Sequence, residues 1–253
     1  MPATGLAGRG PDLRPADEAL RFVAVYRVDC DAAQWSGRAA LRALGGDAGS
    51  GADVGARATQ DGPRRRRKAL LRACTRWLLG AHLGLRGDEV VLGRGLNGRP
   101  RLERPGADAR LAFSTSLCGR DGVVAVSSCA TVGIDVERAG PDRFPRHIAA
   151  HLLHRHEMES FAELAYDERT AWLARVWACK EAALKALGLG LDRDPREVEI
   201  GRPQAGTGAA GARFTIAGEP ALDGHLLCEG ALVCALVTRE PAQRITCRRL
   251  RPC

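Results

Sequence analysis

The sequence predicts an α+β protein made of two α/β lobes that join near residues 129–131. Strand-like alternation and helical periodicity occur in both halves of the 253-residue chain, and the order of elements in the second half resembles that in the first. Hydrophobic residues make up 45% of the chain, which is enough for one large core or two modest cores. We therefore assign residues 1–129 to an N-terminal lobe and residues 130–253 to a C-terminal lobe.

The first lobe is predicted to begin with a strand over residues 22–28, where apolar and other residues alternate. A helical pattern follows over residues 32–44. Residues 45–63 are rich in Gly, Ala and Asp without apolar periodicity, so we expect a flexible insertion there. An amphipathic helix is predicted over residues 69–83. The five cations at residues 64–68 before it are either a solvated helix start or a patch that faces phosphate.

The remaining elements follow from the same patterns. A turn is predicted at residues 97–100, and two short strands flank a Gly-containing bend at residues 119–122. The second half begins with a strand over residues 132–137. After it we predict helices over residues 146–161 and 168–187 and strands near residues 198, 214 and 231.

Composition restricts the classes of partner and compartment. Lys and Arg exceed Asp and Glu by 38 to 30, so the net charge of +8 favours nucleic acid, phosphorylated small molecules or an acidic protein. The low aromatic content, 4%, argues against a single-stranded nucleic acid. No apolar run is long enough to cross a membrane, residues 1–15 lack a secretory signal, and the nine cysteines contain no C-x-x-C pair. We expect a soluble, cytoplasmic protein with reduced thiols.

Two carboxylates share one face of the strand predicted at residues 132–137. Alternation places Asp135 and Glu137 opposite to Ile134 and Val136. Such carboxylates, about 7 Å apart along a strand, repel each other unless water, cations or a metal ion separates their charges. Magnesium is the natural oxygen-seeking metal. A strand with one solvated face gives the same pattern, so a third ligand is needed to distinguish the two interpretations.

The third ligand can come from the helix predicted over residues 168–187. Helical spacing brings Trp177, Glu181 and Lys185 to one face, with Lys180 adjacent. Taken alone, Glu181 and Lys185 are an ordinary ion pair beside a core tryptophan. Together with Asp135 and Glu137, this helix completes a set of three carboxylates and two lysines that suits a divalent cation held against a pyrophosphate.

The two clusters resemble the hallmarks of the 4'-phosphopantetheinyl transferase superfamily, especially its larger Sfp-type members. Residues 133–137 match the family's G-I-D-x-E strand, and residues 177–185 match its W-x-x-K-E-x-x-x-K helix. Residues 97–100 and 152–157 are similar to its G-K-P-type and F-F-x-x-x-E segments. The resemblance extends from about residue 68 to residue 191, and it implies two similar α/β lobes related by pseudo-twofold symmetry.

The resemblance also implies an activity. Family members transfer the phosphopantetheine arm of coenzyme A to a serine of an acyl or peptidyl carrier protein and release adenosine 3',5'-bisphosphate. By position, Asp135, Glu137 and Glu181 would bind Mg²⁺, and Glu181 would also accept the serine proton. Lys180 would neutralise phosphate oxygens, and Lys185 would reach a phosphate or hold the helix face. The expected partner is an acidic carrier protein of fatty-acid, polyketide or nonribosomal-peptide synthesis. We expect the protein to act as a monomer and to bind neither nucleic acid nor a membrane.

Coenzyme contacts are expected from Lys68, Arg99 and Ser116, in addition to the two lysines of the helix. The sequence departs from the family at residues 113–118, where Leu117 stands in place of a histidine that helps to bind the nucleotide. This change implies weaker binding, a greater share of binding by residues 64–68 or Arg99, or a degenerate family member.

Two other functions are compatible with parts of the sequence. Four histidines, of which the first three follow helical spacing, could bind a metal ion in a hydrolase: His147, His151, His154 and His156. Arginines flank them and no H-E-x-x-H motif is present, so a solvent-facing basic helix is the favoured explanation. A nucleic-acid-binding protein could use residues 64–68 and 248–251, but it leaves the three carboxylates without a role.

Overall fold

A computed structural model describes residues 21–31, 62–95, 99–105, 111–189, 193–201, 211–216 and 219–250. It contains helices α1 (Gly62–Leu83), α2 (Ala149–Leu152), α3 (Arg155–Glu163) and α4 (Glu168–Leu187). The strands are β1 (Phe22–Asp29), β2 (Val91–Arg94), β3 (Pro100–Arg104), β4 (Ala112–Cys118), β5 (Asp121–Ser127), β6 (Val132–Arg138), β7 (Val198–Ile200), β8 (Gly211–Ile216), β9 (Leu222–Glu229), β10 (Leu232–Thr238) and β11 (Arg244–Arg249). Short 3₁₀ turns lie at Arg146–Ile148 and Pro195–Glu197. The predicted α+β class is confirmed.

The strands form two main sheets and a hairpin. The first sheet has the order β11-β1-β5-β4, and its β11 is parallel to β1 while the other pairs are antiparallel. The second sheet has the order β6-β10-β9-β8-β7 and is antiparallel throughout. Strands β2 and β3 form the hairpin. Strands β4 and β6 are therefore edge strands of different sheets.

The layers follow from the alternation of side chains along the strands. On β1, Phe22, Ala24 and Tyr26 pack with α1, whereas Val23 and Val25 pack against the second sheet. Strand β10 divides in the same way, because its odd-numbered apolar residues pack with α4 and its even-numbered ones face the first sheet. The molecule is thus a stack of helix, sheet, sheet and helix. The pseudo-twofold relation between the lobes stays a prediction.

Helix α1 confirms the predicted amphipathic pattern. Leu78 and Leu79 are fully buried, while the cations at its first turns are mostly exposed and no acidic residue accompanies them. Arg67 forms an ion pair with Asp31 at 2.6 Å. The helix begins at Gly62, so the last two residues of the predicted insertion are helical, since proline is well tolerated in the first helical turn. The rest of that insertion and the helix predicted over residues 32–44 lie outside the described residues.

The single helix predicted over residues 146–161 is wrong. A 3₁₀ turn and α2 cover residues 146–152, and Leu153 after them is extended. Helix α3 then begins with His154 as its N-cap. Glu157 closes a capping box by accepting from the His154 backbone N–H at 2.8 Å. By contrast, α4 has the predicted bounds, and Gly188 ends it in the left-handed conformation at φ 75°.

Four strands were missed: β2, β3, β9 and β11. Strand β11 comes from the C-terminal half of the chain but pairs with β1 in the first sheet. The division into residues 1–129 and 130–253 stays a prediction, and it did not anticipate this crossover. Within the described part of the chain, no helix is both long and apolar enough to span a membrane. Seven cysteines in this part are free thiols, six of them buried.

Candidate active site

The candidate site lies where the edge strands of the two sheets meet. The Ser116 hydroxyl on β4 donates to Asp135 Oδ1 on β6 at 2.6 Å. Two residues further along both strands, Cys118 Sγ lies 3.5 Å from Glu137 Oε2. The structure therefore joins β4 and β6 through the side chains of the two predicted carboxylates.

Gly133 lets α4 approach β6 closely on the face that carries these carboxylates. A Cβ atom at this position would lie 1.9 Å from the carbonyl oxygen of Ala182 and 2.5 Å from the backbone nitrogen of Ala186. Both neighbours are backbone atoms of the helix, which cannot rotate away as a flexible side chain can. The glycine of the G-I-D-x-E strand thus sets the distance between the two elements of the site.

Asp135 is 3% exposed and has one oxygen without a hydrogen-bond partner among the described residues. Its Oδ1 accepts from Ser116 and from Lys185 Nζ, each at 2.6 Å, while Oδ2 is the unpartnered atom. Burial raises the pKa of Asp135, and the charge of Lys185 opposes the rise. A buried oxygen without a partner is costly, so this atom suits a cation.

Both carboxylate oxygens of Glu137 accept hydrogen bonds from neighbouring side chains. Arg143 binds both of its oxygens, with Nε at 2.5 Å and Nη2 at 2.8 Å, and Trp177 Nε1 donates to Oε1 at 3.1 Å. The ion pair raises the pKa of Arg143. The role of Arg143 was not predicted, because it follows β6 in a segment without a recognisable motif.

Glu181 lies on the same face of α4 as Trp177 and Lys185. Burial raises its pKa to about 7, and the charges of Asp135 and Glu137 add to this effect while Lys185 opposes it. The three carboxylates therefore share one electrostatic environment. Among the described residues their ligand atoms do not all lie within 4.8 Å of one another, so binding of one ion by all three requires side chains to move. The donors themselves, carboxylate oxygens with one unpartnered atom, fit Mg²⁺.

The structure corrects the position predicted for Lys180. This side chain is 1% exposed, and its Nζ donates to the carbonyl oxygens of Leu152 at 2.8 Å and Pro195 at 3.0 Å. It also pairs with the buried Glu157 at 2.6 Å. Because protein acceptors use all of its N–H groups, Lys180 holds α4 against the segments before α3 and β7 and does not reach the carboxylates of β6.

A basic cavity of about 390 Å³ is lined by the two residues that hydrogen-bond to Asp135. Such a volume suits a small-molecule ligand. Its polar lining includes Ser116 and Lys185, both of which bind Asp135, and three further cations: Lys68, Arg72 and Arg94. Arg72 was missed, although its spacing of four residues from Lys68 on one helix could have indicated it. Leu117 also lines the cavity, with an apolar side chain where the family has its histidine.

Arg99 is not among the residues that line this cavity. Its Nη2 instead donates to the carbonyl oxygen of Val132 at 2.8 Å, and burial lowers its pKa. The coenzyme contact expected from Arg99 stays a prediction, and its observed contact is to the first residue of β6.

The four histidines of the hydrolase alternative do not form one cluster, because the predicted helix is broken. His147 and His151 lie before the break at Leu153. His154 and His156 lie after it, and their ligand atoms are within 4.8 Å of those of Glu199 on β7. The cations of the nucleic-acid alternative are partly used within the fold, since Arg67 pairs with Asp31 and Arg248 belongs to β11.

Comparison with known proteins supports the motif-based interpretation. Residues 131–237, which include β6 and α4, match the family model described as the 4'-phosphopantetheinyl transferase superfamily. The chain is similar to the 4'-phosphopantetheinyl transferase HetI of Nostoc sp., with 31% identity over 136 residues that cover 54% of this chain and 57% of the relative. The match thus spans little more than half the length of that curated relative.

The chain is also similar, over less than half of its length, to solved holo-[acyl-carrier-protein] synthases. The one from Neisseria meningitidis is 22% identical, with a TM-score of 0.37 over 44% of this chain and 98% of that chain. The one from Thermotoga maritima is 27% identical, with a TM-score of 0.34 over 42% of this chain and 61% of that chain. The synthase from Helicobacter pylori, solved in complex with coenzyme A, is 18% identical, with a TM-score of 0.34 over 42% of this chain and 97% of that chain.

Proposed function

We propose that the protein transfers the 4'-phosphopantetheine group of coenzyme A to a serine of an acyl or peptidyl carrier protein and releases adenosine 3',5'-bisphosphate. The observation that carries the proposal is the environment of Asp135. This buried carboxylate has one unpartnered oxygen, and its other oxygen accepts hydrogen bonds from Ser116 and Lys185. Both of these residues line a cavity that is surrounded by basic side chains. The match of residues 131–237 to the transferase superfamily model supports the same reaction.

The residues suggest a division of roles. Lys68, Arg72, Arg94 and Lys185 supply positive charge for the phosphates of coenzyme A. Asp135, with Glu137 and Glu181, would hold Mg²⁺, which when bound stabilises negative charge on the pyrophosphate. Arg143 must leave Glu137 before that carboxylate can bind an ion.

Glu181 is the proposed acceptor of the serine proton. A carboxylate whose pKa is about 7 is matched to accepting a proton near neutral pH. As the proton leaves, the serine oxygen forms a bond to the phosphorus that bears the pantetheine arm. The bond from that phosphorus to the bridging oxygen breaks, and the electron pair leaves with adenosine 3',5'-bisphosphate.

The charge of the surface favours the proposed protein partner. The chain carries a net charge of +8, and the arginines at the N-terminal end of α1 are mainly exposed. A basic surface of this kind accelerates the encounter with an acidic carrier protein more than it tightens the complex.

Mass spectrometry of a carrier protein tests the proposal. The protein is incubated with coenzyme A, Mg²⁺ and a panel of apo acyl and peptidyl carrier proteins, and the phosphopantetheine increment on serine is measured. We expect Asp135→Asn and Glu181→Gln to slow transfer by about 100-fold or more, because they remove charges from the reacting centre. His151→Gln, on the exposed side of α2, is the control. Transfer at the control's rate by both variants would contradict the proposed roles, and no transfer to any carrier by the unaltered protein would contradict the function.

A further inference from the structure

Three potential metal ligands meet outside the candidate active site. His154 is the N-cap of α3, His156 lies in its first turn, and Glu199 lies in the middle of β7. Their ligand atoms all lie within 4.8 Å of one another, and the two imidazole rings are 5.3 Å apart between centroids. His156 is exposed and the other two are half-buried, so the cluster is open to solvent. Glu199 was not singled out from the sequence.

A buried carboxylate fixes both elements that carry these ligands. Glu157 Oε2 accepts from the His154 backbone N–H at 2.8 Å, and Oε1 accepts from the Ile200 backbone N–H at 3.0 Å. Glu157 is itself held by the buried Lys180 at 2.6 Å. One side chain thus ties the start of α3 to the residue next to Glu199. These contacts fix the backbone positions of the elements that carry the three ligands.

We propose that His154, His156 and Glu199 form a binding site for a transition-metal ion of the Zn²⁺ class. Two imidazoles and a carboxylate are typical ligands of such ions, and three protein ligands leave a position for water. The outer surroundings also suit an ion. Glu159 Oε2 lies 3.8 Å from His156 Nδ1. A small movement of the Glu159 side chain would let it accept a hydrogen bond from His156, and metal-bound histidines commonly have such a carboxylate partner.

Metal binding at His154 replaces only a weak interaction. Its Nδ1 accepts from the His156 backbone N–H at 3.4 Å, which is long for a hydrogen bond. The other half of the capping box, from His154 N–H to Glu157, does not involve the imidazole. A bound ion would link α3 to β7 beside the Lys180 contact that holds α4. We therefore expect the ion to stabilise the second lobe, and the proposal is independent of the transfer reaction.

Zinc titration of the untagged full chain tests this site. Competition with a chromophoric chelator measures stoichiometry and affinity, and thermal melting measures stabilisation. We expect about one equivalent of Zn²⁺ per chain and a higher Tm in its presence. His154→Asn, His156→Gln and Glu199→Gln should each weaken binding by roughly tenfold or more, since even the loss of an outer partner of a ligand has about that effect. Asparagine at residue 154 keeps a good N-cap, so the helix start is preserved.

A paired control separates this site from other ligands of the chain. His147→Gln with His151→Gln removes two nearby histidines outside the cluster and should leave affinity and Tm shift unchanged. Co²⁺ absorption distinguishes imidazole and carboxylate ligands from thiolates such as that of the exposed Cys247. The proposal is overturned if the three variants bind Zn²⁺ like the unaltered protein, if the control loses binding, or if the Co²⁺ spectrum shows thiolate ligation. Phosphopantetheine transfer by Glu199→Gln should be unchanged, so failure of this proposal is distinguishable from failure of the proposed function.

Discussion

Lys180 and Lys185 show at the scale of single residues how one helix serves both packing and chemistry. We predict that Lys180→Met lowers the free energy of unfolding by about 3–5 kcal/mol, because it leaves Glu157 buried without its cation. Lys185→Met should cost less stability, since Lys185 is partly exposed and Asp135 keeps its bond from Ser116. Chemical denaturation measures the difference, and the rate of transfer per folded molecule should fall only for Lys185→Met. The opposite ranking of the two stabilities would contradict this assignment.

His82 gives a prediction about pH. Burial, with the charge of Arg248, lowers the pKa of His82 to about 4, and its Nε2 lies 2.9 Å from the Tyr26 hydroxyl. The unfolded chain therefore binds a proton at His82 between about pH 6.5 and pH 4 that the folded chain does not bind. The stability contributed by neutral His82 is present above pH 6.5 and is lost as the pH falls, by up to about 3 kcal/mol.

Urea denaturation of the unaltered protein and of His82→Gln at several pH values measures this effect. The difference in unfolding free energy between them should shrink or reverse as the pH falls from 6.5 to 4. His147→Gln, at an exposed position, serves as the control for substitution of a surface histidine. A difference for His82→Gln that does not change with pH would show that His82 titrates alike in both states.

The residues of the candidate site that could be predicted are those fixed by local periodicity. Alternation along β6 placed Asp135 and Glu137 on one face, and the i, i+4 relation on α4 placed Glu181 beside Lys185. The roles predicted for these residues came from the resemblance of the two motifs to the transferase family. The same periodicity rotates Lys180 by about 100° from Glu181, which indicates a different environment for this residue. Arg143 and Arg94 could not be predicted in this way, because their positions depend on how segments return to the site in three dimensions.

At the scale of elements, the contact between β6 and α4 determines whether the carboxylates converge. We predict that Gly133→Ala destabilises the protein by about 3 kcal/mol and slows transfer strongly, because the added Cβ forces the helix backbone away from the strand. Gly140→Ala is the matched control, since nothing lies within 4 Å of a Cβ atom there. Thermal melting and the transfer assay measure both effects. Equal behaviour of the two variants would contradict the close approach.

The segment between β6 and α4 shows why element boundaries escaped prediction. Periodicity alone favoured one helix over residues 146–161, since apolar residues recur across the break. The break depends on Glu157. Its carboxylate also forms an ion pair with Lys180 and accepts a hydrogen bond from the Ile200 backbone N–H, and both residues come from later parts of the chain. The local part of this signal, His154 followed by glutamate three residues later, resembles a capping box with an unusual N-cap residue. Tertiary contacts, and not propensity, decide where α3 begins.

At the scale of the whole molecule, the first sheet is assembled from both ends of the described chain. Strand β11 pairs with β1 from Phe22 opposite Arg244 to Arg27 opposite Arg249. Its sequence, RITCRR, has little apolar alternation, so β11 could not be recognised without its partner. The two-lobe description therefore predicted the class of the fold but not which segments complete each sheet.

This crossover leads to a prediction about the C-terminal segment. Deletion of residues 243–253 removes Ile245, which packs between the sheets, and Leu250, which packs with the core around α1. We expect a loss of about 2–3 kcal/mol, given that both side chains are only partly buried, and a Tm lower by roughly 5–10 °C. The deletion also exposes the edge of β1, so concentration-dependent association should appear in size-exclusion chromatography. Deletion of residues 251–253 alone leaves β11 in place and is the control. A Tm equal to that of the control would mean that β1 does not depend on β11, and the first sheet would then be complete within the N-terminal half of the chain.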